Sequence, residues 1–234
     1  MGDLDRSLFK VQLSAYHFYA SEIFAVAAAK IENEAGEHGP TGRGLYEYRA
    51  NVMASVMEAV ACLEAYANEV VAESGDARPA LLLRGMPATK ISRLAAVRQD
   101  LRRTHPVVEK CDRIVQAIDG HALDHDDQRY VNAVLLVNLR NHLVHFDGEW
   151  MEVPSYEGLS VPQRGRHRIE RVLMGKFPRD RFTHHTDPFF PDQCLGAPCA
   201  RWACVSAYQY STWFANRIGA MECFFLTQLP ESVR

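Results

Sequence analysis

Four polar side chains interrupt one of the most apolar stretches of the chain: Arg140, Asn141, His142 and His145 in Leu139-Arg140-Asn141-His142-Leu143-Val144-His145-Phe146. The preceding turns, Tyr130-Val131-Asn132-Ala133-Val134-Leu135-Leu136-Val137, have the composition of a helix buried on most sides. An unpaired charge in such a helix costs on the order of several kcal/mol, so these side chains require partners or a ligand. Their types suit work on a phosphodiester. Imidazole changes charge near neutral pH and can pass a proton in either direction. A guanidinium is permanently charged and forked, so it can hold a phosphate and the negative charge that builds on it. At about 100° per residue, Asn141, His142 and His145 share one helix face, whereas Arg140 and His145 are about 140° apart and converge only through the reach of the Arg side chain or a distorted last turn. His145 falls near the expected C-terminus of this helix, where the macrodipole favours an imidazolium.

Helices are the elements available to position these groups. Leu8, Val11, Ala15, Phe18, Tyr19, Ile23, Val26 and Ala27 recur at three- and four-residue spacing and predict one face of a helix running to about Glu37. A glycine-rich turn at 36–44 follows. Met53, Val56, Met57, Val60, Leu63, Ala67 and Val70 then predict a second helix over 45–72, paired antiparallel with the first. Shorter helical patterns span 91–101 and 107–118. Asp126 or Asp127 can cap the helix that carries Arg140, and Gly148 suits its end. Residues 148–197 differ in kind, with five prolines, five glycines and one short helical pattern near 166–174. An aromatic-rich helix from Cys199 to about Leu229 closes the chain. No stretch alternates as a strand would, so the expected fold class is all-α: an antiparallel helical bundle, one domain over 1–234, with a long irregular basic insertion before the last helix.

Composition narrows the function. With 47% hydrophobic and 24% charged residues the chain is ordinary globular protein, and no run approaches a membrane span. Met1–Lys10 lacks the charged and apolar segments of a secretory signal, and the six cysteines form no CxxC pair. A cytoplasmic protein with reduced, buried thiols and no membrane partner is expected. The net charge of −3 conceals polarity along the chain. Residues 1–76 hold five basic against twelve acidic residues. Residues 90–113 hold seven basic against three acidic, and 164–181 seven against two. The latter two stretches would attract an anionic ligand. Arg164, Arg166, Arg168 and Arg171 are accordingly candidate RNA-phosphate contacts, with Phe182, Phe189 and Phe190 as stacking candidates. The alternative for the last stretch is a solvated loop whose charges balance the acidic N-terminal region.

Arg140-Asn141-x-x-x-His145, late in a buried helix, resembles the signature of the HEPN superfamily of helical bundles, an Arg followed after four to six residues by a His. Ala59-Val60-Ala61-Cys62-Leu63-Glu64-Ala65-Tyr66-Ala67-Asn68-Glu69 is similar to the second helix of those proteins, and Lys90 suits the next element. The resemblance covers roughly 8–147 and the final helix. It implies a homodimer in which Arg140 and His145 of both protomers form one ribonuclease site, with Asn141 supporting. The implied reaction needs no metal or cofactor: a ribose 2′-hydroxyl attacks the adjacent phosphorus and leaves a 2′,3′-cyclic phosphate and a 5′-hydroxyl. Glu64 would pin Arg140, and His142 would support or pack. RNA is the implied partner, and a protein inhibitor would fit a toxin or defence effector. Asp147 stands where some relatives carry a Tyr that a nucleotidyltransferase modifies, so that regulation is not expected. The rival expectation is a non-catalytic helical dimerisation or ligand-binding module built on the same residues. The loop Asp119–Asp127 and the group His184, His185, Asp187, Cys194 and Cys199 contain metal-ligand types without a recognised spacing, and solvated loops are the favoured reading of both.

Overall fold

A computed structural model describes residues 11–76, 81–103, 106–146, 168–184 and 187–222. Among these residues there are eight α-helices: α1 (Ser14–Glu34), α2 (Arg43–Glu73), α3 (Ala88–Ala96), α4 (Arg98–Leu101), α5 (Val107–Asp119), α6 (Gln128–Val144), α7 (Arg168–Leu173) and α8 (Ala197–Ile218). There is no strand among them; one isolated bridge joins Met174 and Phe177. The all-α class expected from periodicity is the class observed.

Helices α1, α2, α6 and α8 make the bundle. Ser21 beside Ser55 and Tyr48 beside Glu32 set α1 and α2 antiparallel. Ser55 reaches the Ala200 carbonyl, and Tyr66 stacks edge-on against Phe214 at 5.9 Å, so α8 runs parallel to α2 across the core. Arg129 at the start of α6 lies over Trp213 near the end of α8, which sets those two antiparallel. The core between them holds Val52, Val56, Val60, Leu63, Tyr66, Leu136, Leu139, Tyr210 and Phe214. Helices α3 and α5 close the end where α8 finishes.

Two boundaries differ from the sequence expectation for identifiable reasons. Residues 11–13 are non-helical, and α1 starts at Ser14, where Glu69 of α2 accepts from the backbone N–H of Leu13 (2.6 Å) and Ser14 (3.0 Å). A remote carboxylate therefore caps this helix in place of a local one. At the other end of the chain α8 stops at Ile218, not near Leu229, because Gly219 takes the left-handed conformation with φ +76°. In the same way Gly120, at φ +81°, ends α5.

The buried face of α1 also differs from the one expected. Phe18 is buried, but Ile23 and Val26 are 63% and 50% exposed, and the inward positions are filled by Ser14, Ser21 and Ala28. The serines are tolerated because they are satisfied. Ser21 Oγ donates to the Ser55 carbonyl at 2.9 Å, and Ser55 Oγ donates back to the Ser21 carbonyl at 2.8 Å. Small side chains let α1 approach α2 closely, whereas apolar residues lie all around α1, so periodicity did not single out the correct face. On α2 the expected core residues Val56, Val60, Leu63, Ala67 and Val70 are buried, while Met53 and Met57 face outward.

Glu73, the last residue of α2, is fully buried and accepts from the backbone N–H groups of Leu81, Leu82 and Leu83 at 2.7, 3.1 and 3.1 Å. Without its carboxylate three donors lose their partner. Glu73→Ala is expected to lower unfolding free energy by about 4 kcal/mol, measured by urea denaturation followed by circular dichroism, and Glu73→Gln by less, because one acceptor oxygen remains.

Candidate functional site

Helix α6 is anchored at its start. Asp127 is its N-cap, accepting from the Arg129 backbone N–H at 2.8 Å and holding the Arg129 guanidinium at 2.8 and 2.5 Å. Of the two aspartates the sequence offered as the cap, Asp127 takes the role. The Arg129 side chain is the main cause that holds the Asp127 carboxyl down to about 2. In the preceding loop His125 Nε2 lies 2.6 Å from Asp112 of α5, and Asp112 also accepts from the Leu123 N–H and the Tyr130 hydroxyl. His125 and Tyr130 stack at 4.2 Å. Sequence reading missed this tie because its members lie 13 and 18 residues apart with no periodic relation.

Near the other end of α6, Arg140 forms an ion pair with Glu64 of α2. The pair is half-buried, with 23% of the Arg140 side chain and 45% of Glu64 exposed. It therefore fixes the guanidinium's direction more than it stabilises the fold, such pairs being worth roughly 1 kcal/mol or less. A guanidinium carries five N–H donors, so a carboxylate leaves donors over for a second anion. Asn141 is exposed, and so is His145, whose backbone N–H closes the last turn on the Asn141 carbonyl at 2.9 Å. His142 packs edge-on against Phe190 at 4.5 Å and Phe146 at 5.4 Å. Arg140 is thus turned toward α2, while Asn141 and His145 point from a different side of the same helix end.

The basic stretches are only partly available to a ligand. Lys90 is paired with Asp119 at 2.9 Å, and Arg113 with Asp100 and Glu109. Arg93 bonds the Ile118 carbonyl at 3.1 Å. Arg102 and Arg103 are exposed. Of the four arginines expected to contact RNA, Arg171 is exposed on α7, whereas Arg164, Arg166 and the side chain of Arg168 lie outside the described residues. Arg181 is held by Glu32 and lies 4.7 Å from the Phe182 ring. This contact lets one basic side chain offset the acidic N-terminal region within the chain. Phe190 is 6% exposed and packs on His142, so it is core and not a base-stacking surface; Phe182 is half-buried against Tyr48.

Asp180, not singled out from sequence, is buried and paired with Arg49 of α2 at 3.2 Å, and burial pushes its carboxyl up. The described cysteines are free and buried, and burial drives the Cys111 and Cys204 thiols up to about 12, the pattern of inert core thiols. Among the described residues no three His, Cys, Asp or Glu side chains gather as a metal would require. An open groove of about 440 Å³, lined by Arg129, Tyr208, Gln209, Thr212, Trp213 and Asn216, lies at the far end of α6 from His145. The chain matches no known protein family, no curated protein and no solved structure.

The Asp127 cap yields a test of how α6 is held. Its carboxyl is depressed from 3.8 to about 2, so the stabilisation is complete above about pH 4 and is lost as pH falls toward 2. Thermal melts of Asp127→Ala should show a deficit of about 1 kcal/mol near neutral pH that disappears at about pH 2.

Proposed function

We propose that the chain is a metal-independent endoribonuclease of the HEPN type, with Arg140 and His145 acting on the phosphodiester and Asn141 supporting His145. The observation that carries this reading is the end of α6. There an arginine paired with Glu64 keeps 23% of its side chain exposed, on the same helix end as an asparagine and a histidine that are both exposed. In the reaction His145 takes the proton of a ribose 2′-hydroxyl as its oxygen bonds to phosphorus. The bond from phosphorus to the 5′-oxygen breaks, and that oxygen takes up a proton to leave as a 5′-hydroxyl. Arg140 neutralises the charge gathering on the non-bridging oxygens. RNA is the partner on this reading. His145 can come from the same chain as Arg140 or, as the resemblance implies, from a second copy. A protein inhibitor belongs to the same reading, as does a role in defence. Among the described residues no helix is long and apolar enough to cross a membrane.

A second reading, a non-catalytic module that binds RNA or another ligand, is favoured by one observation. Arg140 faces α2 and is already partnered, five positions from His145 and about 140° around the helix.

Cleavage of single-stranded and structured RNA in EDTA separates the two. The intact chain should yield 2′,3′-cyclic phosphate ends, and His145→Ala or Arg140→Ala should reduce the rate by roughly 100-fold or more. Cleavage that survives both substitutions, or that requires a divalent ion, would overturn the nuclease. RNA binding without cleavage would leave the second reading. Glu64→Gln should lower kcat by about tenfold with the fold intact, since it removes the charge that orients Arg140.

A further inference from the structure

The face of α2 that meets Arg140 continues for two turns past it. Ala61, Glu64, Ala65, Asn68 and Ala72 recur at three- and four-residue spacing, within about 100° around the helix, and none of them is buried. The strip is floored mostly by small side chains, and a cation from each of two neighbouring helices reaches it. Arg140 of α6 pairs with Glu64. One turn farther along, Lys110 of α5 donates from Nζ to Asn68 Oδ1 at 2.7 Å. Residues four apart on a helix have Cβ atoms about 6 Å apart, so the guanidinium and the ammonium meet adjacent positions of one face. That separation is close to the step between neighbouring phosphates of a nucleic-acid strand.

The two cations differ in what holds them. Arg140 meets a carboxylate, whereas Lys110 meets a neutral amide, which fixes the ammonium without cancelling its charge. An ammonium has three N–H donors, so two are left over for a second acceptor. Lys110 forms no ion pair among the described residues, unlike Lys90 and Arg113 of the same basic stretch, which pair with Asp119 and with Asp100 and Glu109. The acids adjoining Asn68 and Lys110 in the chain are engaged elsewhere: Glu69 accepts from Leu13 and Ser14, and Glu109 pairs with Arg113. Arg102 and Arg103, between α4 and α5, are exposed and form no ion pair among the described residues. A cationic track of this kind follows the backbone of a single strand.

We infer that Lys110 is a phosphate-binding residue of the Arg140 site, and that single-stranded RNA lies along the 61–72 face of α2 with successive phosphates at Arg140 and Lys110. The inference rests on the proposed ribonuclease for its ligand and adds a direction, since the strand runs from the end of α6 toward α5. Contacts to phosphate carry no base information, so this grip is independent of sequence.

The test uses the full chain carrying His145→Ala, so that cleavage does not interfere, and fluorescein-labelled single-stranded polyuridylate read by anisotropy. Lys110→Ala should weaken binding by roughly tenfold at low salt and reduce the slope of log Kd against log salt by about 0.7, the loss of one phosphate contact. Lys110→Arg should restore both. Asn68→Asp keeps the lysine but sets a carboxylate against it, and should weaken binding as much as Lys110→Ala does, whereas Asn68→Ala should cost far less. Lys90→Ala removes a cation already paired with Asp119 and should leave Kd unchanged. Polyadenylate should show the same dependence on Lys110. With His145 intact, Lys110→Ala should raise KM by roughly tenfold while kcat stays within about twofold. RNA that is cleaved, and bound with the same Kd and salt slope by Lys110→Ala, overturns this inference and leaves the ribonuclease standing. Binding that depends on Lys110 without cleavage does the reverse, and an absence of RNA binding overturns both.

Discussion

Four glutamates on one central helix fix the register of its neighbours in this fold. Helix α2 packs against α1, α5, α6 and α8, and its carboxylates fasten four separate places. Glu58 meets His17, Glu69 caps the start of α1, Glu64 takes Arg140 of α6, and the buried Glu73 gathers the N–H groups of residues 81–83. A carboxylate accepting backbone N–H groups is a charge-assisted contact, stronger than a neutral one and directional. Apolar burial draws α2 into the bundle, and the carboxylates set which residues of α1, of α6 and of the 81–83 turn meet it.

This arrangement explains the charge polarity of the chain. Part of the acidic excess of residues 1–76 is engaged internally, because Glu32, Glu58, Glu64, Glu69 and Glu73 accept hydrogen bonds within the fold. Part of the basic excess is engaged in the same way, through Lys90, Arg113 and Arg181. Among the described residues of the two basic stretches, Arg102, Arg103, Arg171 and Arg179 remain outward, together with the polar end of α6. The Arg140–Glu64 pair belongs to both categories, since it connects two bundle helices and yet leaves nearly a quarter of the arginine side chain exposed.

Legibility varied by element. Helices α2, α5 and α6 were readable because each has one apolar side or an unbroken apolar body between clear stops, with Asp127 before α6 and Gly120 after α5. The pairing of α1 with α2 was readable from the short glycine-rich turn. The face of α1 was not, because apolar residues surround that helix and the serines that line its buried side look polar in a sequence. They become core residues only when Ser55 stands opposite Ser21. Phe190 was equally ambiguous, since a phenylalanine in an irregular stretch can be a stacking surface or a core anchor until His142 is found against it. The Asp112–His125–Tyr130 and Arg49–Asp180 contacts have no local signal at all.

The sequence by itself determined the class of the fold, the order and approximate limits of its helices, and the presence of a polar cluster late in α6. Those follow from local propensity and from periodicity, which act over a few residues. Only the tertiary structure decided which side of α1 is buried, which carboxylate caps which helix, and that Arg140 turns toward α2 while His145 stays exposed. These depend on contacts between residues tens of positions apart, and a hydrogen bond or a close helix approach is specified only when both partners are in place.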